Sequence, residues 1–96
     1  MNLLVAYDIS TETKQGEKRL RRVAKVCMGY GQRVQHSVFE CRLDELRFVE
    51  LVRALKEIVH PAEDNIRIYR VTDLSRGSVV NLGREVGLDF DEPIIL

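Results

Sequence analysis

The sequence predicts a two-layer α+β sandwich, an antiparallel sheet with two helices on one of its faces. Three observations carry this. Residues 2–9 alternate along a strand with a period of two. Residues 16–29 and 45–59 each hold an apolar stripe at helical spacing. Strand-like runs return after each helix, at 33–42 and 65–71. Helices that each carry one apolar stripe bury it most simply against a sheet they share.

In the first strand Leu3, Val5, Tyr7 and Ile9 take one face, and Leu4, Ala6 and Asp8 the other. Both faces are apolar until Asp8, the pattern of a central strand covered on both sides. Residues 10–15 are polar and turn-like. The helix over 16–29 places Leu20, Val23, Ala24, Cys27 and Met28 on its stripe and a basic cluster opposite; Gly29 and Gly31 end it. Residues 33–42 return with Val34, His36 and Val38 on one face and Ser37, Phe39 and Cys41 on the other. Asp44 caps the second helix, whose stripe is Phe48, Leu51, Val52, Leu55, Ile58 and Val59. His60-Pro61 ends it, because the residue before a proline avoids helical geometry. Residues 65–71 form a third strand, a Gly-containing turn covers 73–78, and a short strand lies near 78–82.

As read, the order is β-α-β-α-β-β-β. It becomes β-α-β-β-α-β if the stretch 33–43, long for one strand, bends and hides two. Two helices on one face of a four-stranded sheet is the ferredoxin-like solution. The chain then has nothing left to cover the second sheet face, where Leu4 and Ala6 lie. A second copy packing sheet to sheet would cover it, which predicts a homodimer. The terminal Ile94-Ile95-Leu96, after an acidic linker, would add a strand to the partner's sheet edge; the alternative is that it folds back on its own sheet. The expected organisation is a body over residues 1–83 and a C-terminal tail over 84–96.

Length and composition agree. A chain of 96 residues is one domain. At that size it buries only roughly two-thirds of its unfolded surface, so pairing would add to a thin stability margin. Its 45% hydrophobic and 31% charged residues are a globular mixture. No apolar run approaches the roughly 18 residues of a membrane span. The N-terminus enters a strand directly, with no basic leader or cleavage site, so a cytoplasmic location is expected. Cys27 and Cys41 sit at core-like spacing and read as small hydrophobes. A disulfide between them stays open, and a metal site would need more ligands.

Formal net charge is zero, yet the charges are segregated. Residues 14–33 carry Lys14, Lys18, Arg19, Arg21, Arg22, Lys25 and Arg33 against the single acid Glu17. The stretch 85–92 carries Glu85, Asp89, Asp91 and Glu92 with no base. Such a dipolar surface offers a positive patch to phosphates; the alternative is a solvated helix face that happens to be basic.

Three segments in order, LLVAYDIS (3–10), GQRVQHSVFECRL (31–43) and DNIRIYRV (64–71), stand out together with the basic first helix. In this combination the chain resembles the small CRISPR-associated nuclease family of spacer acquisition, the second of the two near-universal Cas proteins and the partner of the CRISPR integrase. The run Arg33-Val34-Gln35-His36-Ser37-Val38-Phe39-Glu40 is its most specific part. The resemblance covers about the whole chain. It implies a ferredoxin-like homodimer with a C-terminal strand exchanged onto the partner, and metal-dependent cleavage of single-stranded RNA or double-stranded DNA. It places the family's metal-site aspartate on Asp8, the aromatic before it on Tyr7, and the second-strand arginine and phenylalanine on Arg33 and Phe39. It places basic helix positions on Arg19, Arg21 and Arg22. It also implies service as the bridge of the integrase complex, gripping DNA without cutting it.

One carboxylate is too little for a hydrolytic metal site, and a two-fold axis that brings Asp8 to its symmetry mate would supply a second. The pair would hold Mg²⁺ or Mn²⁺, with waters filling the remaining positions. Without the ion the two acids would repel and one pKa would rise, so activity is expected to depend on pH and metal. The plainer alternative for Asp8 is a strand-terminal cap. Arg33 would steady a phosphate or the leaving oxygen, or be a surface strand charge. Ser37 would donate to a phosphate or a metal-bound water, or be a buried hydroxyl. Phe39 and Tyr7 would shape the dimer seam or stack on a base, or pack the core. His36 invites a general-base reading, but its place among valines favours a structural role. Lys14, Lys18, Arg19, Arg21, Arg22 and Lys25 would contact phosphates without reading sequence.

Overall fold

The stretch after the first helix is not one long strand but a hairpin. The computed structural model describes residues 1–75 and 77–86. Its elements run β1 (Asn2–Asp8), α1 (Lys14–Met28), β2 (Gly31–Gln35), β3 (Val38–Arg42), α2 (Glu45–Ile58) and β4 (Asn65–Val71). Gln35 pairs directly with Val38, so His36 and Ser37 alone make the turn. Neither has a positive φ, unlike the turns that usually close two-residue hairpins. The register shifts between Arg33 and Gln35 just before it, and such a bulge adds local twist. The second strand thus becomes two, and the order is β-α-β-β-α-β.

The sheet order is β2-β3-β1-β4, antiparallel throughout. This is the ferredoxin-like arrangement expected from the sequence. β1 lies between β3 and β4, with Val5 opposite both Phe39 and Ile68. Its Leu3, Val5 and Tyr7 are buried, while Leu4 and Ala6 are half-buried and Asp8 is exposed. Only one face of the sheet is therefore covered by the helices. The core joins Leu3, Val5, Phe39 and Cys41 of the sheet to Val23 and Cys27 of α1 and Leu51 and Leu55 of α2. Each large apolar side chain buried there contributes about 1.5–3 kcal/mol relative to exposure.

Helix ends follow local chemistry. The Thr13 hydroxyl accepts from the Gly16 N–H at 3.1 Å and caps α1. Asp44 caps α2 through the Arg47 N–H at 2.8 Å, as its sequence position predicts. Gly16 is required by close approach: a Cβ there would collide with the Ser10 carbonyl oxygen. Gly29 keeps a right-handed φ of −76°, so α1 does not end in a left-handed cap. It tightens instead, with Gly29 N–H donating to Val26 and Tyr30 N–H to Cys27, both at 3.0 Å.

Two details depart from expectation, and the cysteines keep to it. Met28, placed on the apolar stripe, is 56% exposed at the last turn of α1. Both cysteines are free and buried, as small core hydrophobes are, and the alternative of a disulfide is not taken up. Residues 78–82 make no strand and pair with no edge of the sheet; Val79, Val80 and Leu82 are exposed there. The terminal strand expected at 94–96, and the acidic stretch from Gly87 onward, lie outside the described residues. Among the described residues no helix is long and apolar enough to cross a membrane.

Candidate functional site

β1 delivers two adjacent residues to opposite sides of the sheet. Tyr7 enters the core and is buried, and Asp8 follows on the open face, opposite Asn65 of β4. The Asp8 side chain has no hydrogen-bond or ion-pair partner among the described residues. Its carboxylate is therefore not spent on a cap or turn, the plainer role weighed for it.

The β2–β3 turn folds over Tyr7. The Tyr7 N–H donates to the Ser37 carbonyl at 3.0 Å, and the Tyr7 hydroxyl donates to the His36 carbonyl at 3.2 Å. The Arg33 guanidinium donates to the same hydroxyl at 3.4 Å and lies over the Phe39 ring, 5.1 Å from its centroid. The Phe39 and Tyr7 rings stack at 6.2 Å and 25°. Arg33 is thus held from beneath by a ring and an oxygen while remaining exposed. Phe39 is fully buried, so no base can stack on it here. His36 is an exposed turn residue, because the strand that would have put it beside Val34 and Val38 breaks there. Ser37 is half-buried at the same turn.

The basic cluster of α1 divides. Lys14, Lys18, Arg21, Arg22 and Lys25 are exposed along the side turned away from the sheet, over about 16 Å of helix. Arg19 is different. Its Nε and Nη2 donate to Asp64 at 2.7 and 3.2 Å, and Nη2 lies 3.5 Å from Glu63. The Asp64 side chain is fully buried, and the Arg19 bond holds its carboxyl down at about 2, helped by the His60 and Ser10 N–H groups and opposed by desolvation. Asp64 was not among the residues singled out from sequence; it lies 45 positions from Arg19, and no local pattern links them.

The structure brings Tyr7, Arg33, Ser37 and Phe39 together at the β2–β3 turn, with Tyr7, Phe39 and Arg33 on the helix-covered side of the sheet, whereas Asp8 stands on the open face. It leaves the α1 stripe on the other side of the sandwich. The hard carboxylate oxygens of Asp8 suit Mg²⁺ or Mn²⁺. Among the described residues, however, no group of three or more potential ligands is assembled. The described donors of one chain thus do not make a metal site alone.

Comparison with known proteins bears on the same residues. The family model described as CRISPR associated protein Cas2 matches residues 1–79, which include β1, α1, the hairpin and β4. A protein of Moorella thermoacetica named CRISPR-associated endoribonuclease Cas2 1 is 44% identical over the full length of both chains. A CRISPR-associated endonuclease Cas2 of Halalkalibacterium halodurans is 40% identical over 95 residues, 99% of each chain. A crystal structure of Streptococcus pyogenes Cas2 at pH 6.5 is 47% identical and superposes with a TM-score of 0.78, covering 86% of this chain and all of that one. Sequence, architecture and the strand-end cluster point the same way, and the chain belongs to the CRISPR-associated Cas2 family.

Proposed function

We propose that this protein is a CRISPR-associated nuclease that hydrolyses phosphodiester bonds in RNA or DNA, and that it works as a two-fold homodimer. The observation that carries this is Asp8, a carboxylate at the end of the central strand that is exposed and has no side-chain partner among the described residues. Relatives that match over the whole chain bear the names endoribonuclease and endonuclease, which supports the nuclease reading. Two Asp8 carboxylates across the two-fold axis would hold one Mg²⁺ or Mn²⁺. Such an ion supplies charge neutralisation at the phosphate and a water of lowered pKa.

The chain's own residues do the rest. Arg33 presents its remaining N–H groups to a phosphate oxygen, where positive charge stabilises the developing negative charge of the transition state. Tyr7 and Phe39 act through Arg33. One spends its hydroxyl on the His36 carbonyl and the Arg33 guanidinium, and the other lies beneath that guanidinium. Ser37 shapes the turn and stands within the same cluster. Lys14, Lys18, Arg21, Arg22 and Lys25 contact phosphates of a backbone laid along α1, and the dimer doubles them. The setting is spacer acquisition, with the CRISPR integrase as partner.

A second reading has specific support. Among the described residues no group of three potential metal ligands forms around Asp8, and the basic stripe faces away from it. A dimer that grips duplex DNA and bridges integrase subunits needs only the stripe. One experiment separates the two. Labelled single-stranded RNA and duplex DNA are incubated with wild type and Asp8→Ala, in Mg²⁺, Mn²⁺ or EDTA, across a range of pH. The nuclease reading expects divalent-ion-dependent cutting that Asp8→Ala abolishes. Absence of cutting under every condition, with duplex binding retained by both proteins, leaves the scaffold as the function.

A further inference from the structure

Asp64 makes a closed set of bonds. Its Oδ1 accepts from the Ser10 N–H at 3.1 Å and from Arg19 Nη2 at 3.2 Å. Its Oδ2 accepts from Arg19 Nε at 2.7 Å and from the His60 N–H at 2.9 Å. A carboxylate has about four acceptor positions, and four donors fill them. The side chain is fully buried, while Arg19 is 13% exposed. A buried carboxylate is stable only when paired and fully bonded, and this one is both.

What these bonds join is specific. Ser10 follows Asp8 by two residues, where the chain leaves β1 for α1. Asn65, next to Asp64, is the cross-strand partner of Asp8. Asp64 therefore grips the chain just beyond Asp8 and begins the strand directly opposite it. Arg19, from α1, and His60, from the end of α2, fix Asp64 in turn. The guanidinium of Arg19 faces two acids, Asp64 and Glu63, so its charge is spent within the fold.

We propose that Asp64 is the positioning residue for Asp8, holding the β1–α1 junction through Ser10, and that Arg19 is its counter-charge and not a phosphate ligand. This rests on the nuclease reading for its catalytic consequence, and the test is built so that the two can fail separately. Asp64→Asn keeps the shape but turns an NH₂ group toward donors that need an acceptor. Arg19→Gln removes the counter-charge, and Arg19→Lys keeps the charge without the planar fork.

Full-length wild type and the three variants are compared in metal-dependent cleavage, in the salt dependence of duplex binding, and in amide hydrogen exchange at Ser10 and His60. In Asp64→Asn and Arg19→Gln, kcat falls about 10- to 100-fold with KM unchanged, as for other groups that orient a reacting carboxylate. Arg19→Lys recovers part of that loss. The salt slope of binding stays at the wild-type value in all three, whereas Arg22→Gln lowers it by about 1. The Ser10 amide loses protection in Asp64→Asn. A lowered salt slope with intact kcat in Arg19→Gln would make Arg19 a phosphate ligand and overturn the proposal. If Asp64→Asn does not fold, the two Arg19 variants decide between these patterns. If the wild type does not cleave, the nuclease reading fails. The clamp is then judged by exchange and salt slope, and unaltered Ser10 exchange overturns it.

Discussion

Arg33 and Phe39 touch each other and do different work. Phe39 is fully buried between Tyr7 and the core, with the exposed Arg33 guanidinium across its ring. Removing the ring removes a foundation: Phe39→Ala is expected to lose about 3–5 kcal/mol of stability in urea denaturation. Arg33→Ala is expected to stay within about 1 kcal/mol of wild type while cleavage falls. A large stability loss in Arg33→Ala would instead make the arginine part of the scaffold. At this scale the sequence was partly legible. Alternation along β1 placed Tyr7 inward and Asp8 outward without any knowledge of contacts. Charge type alone could not separate Arg19 from Arg21 and Arg22. What separates them is the buried Asp64 arriving from the turn before β4, and a pairing over that distance leaves no periodic trace in the chain.

Element boundaries show a second kind of legibility. Helices with a cap residue and an apolar stripe were found within about two residues, because both signals are local. The β2–β3 hairpin was hidden for a physical reason. His36 and Ser37 are not the glycine, asparagine or proline that announce a turn, and its backbone has no positive φ that would demand them. Cys27 of α1 and Cys41 of β3 both lie completely buried in the core. Burial pushes the Cys27 thiol up to about 12, with a smaller contribution from Cys41, and pushes Cys41 up to about 11. Only the thiolate reacts, so at pH 8 roughly one Cys27 in ten thousand is competent even where reagent can reach it. Iodoacetamide is therefore expected to leave both cysteines unmodified in the native protein and to label both in urea, as mass spectrometry would read. Labelling of either under native conditions would mean that the α1–sheet interface opens locally.

The whole molecule has one covered sheet face and one open one. On the open face lie Leu4, Ala6, Val38 and Tyr69, and beyond β4 the chain exposes Val79, Val80 and Leu82, the last two by more than four-fifths. Neighbouring apolar groups left in water at this density mark a contact surface, and a chain of this size gains most from covering them with a second copy. On the proposed function the same pairing brings Asp8 to its symmetry mate, because among the described residues no group of three potential metal ligands forms in one chain. Assembly and chemistry are thus predicted to fail together. The paired substitution Val80→Asp and Leu82→Asp, at positions far from the core, is expected to leave the circular dichroism of the fold unchanged. It should shift sedimentation at micromolar concentration from dimer to monomer and abolish cleavage. Duplex binding would weaken and persist, because the α1 stripe of each chain is intact but no longer doubled. A monomer that still cuts would show that Asp8 acts without its symmetry mate; a dimer that survives both charges would place the interface elsewhere on the sheet.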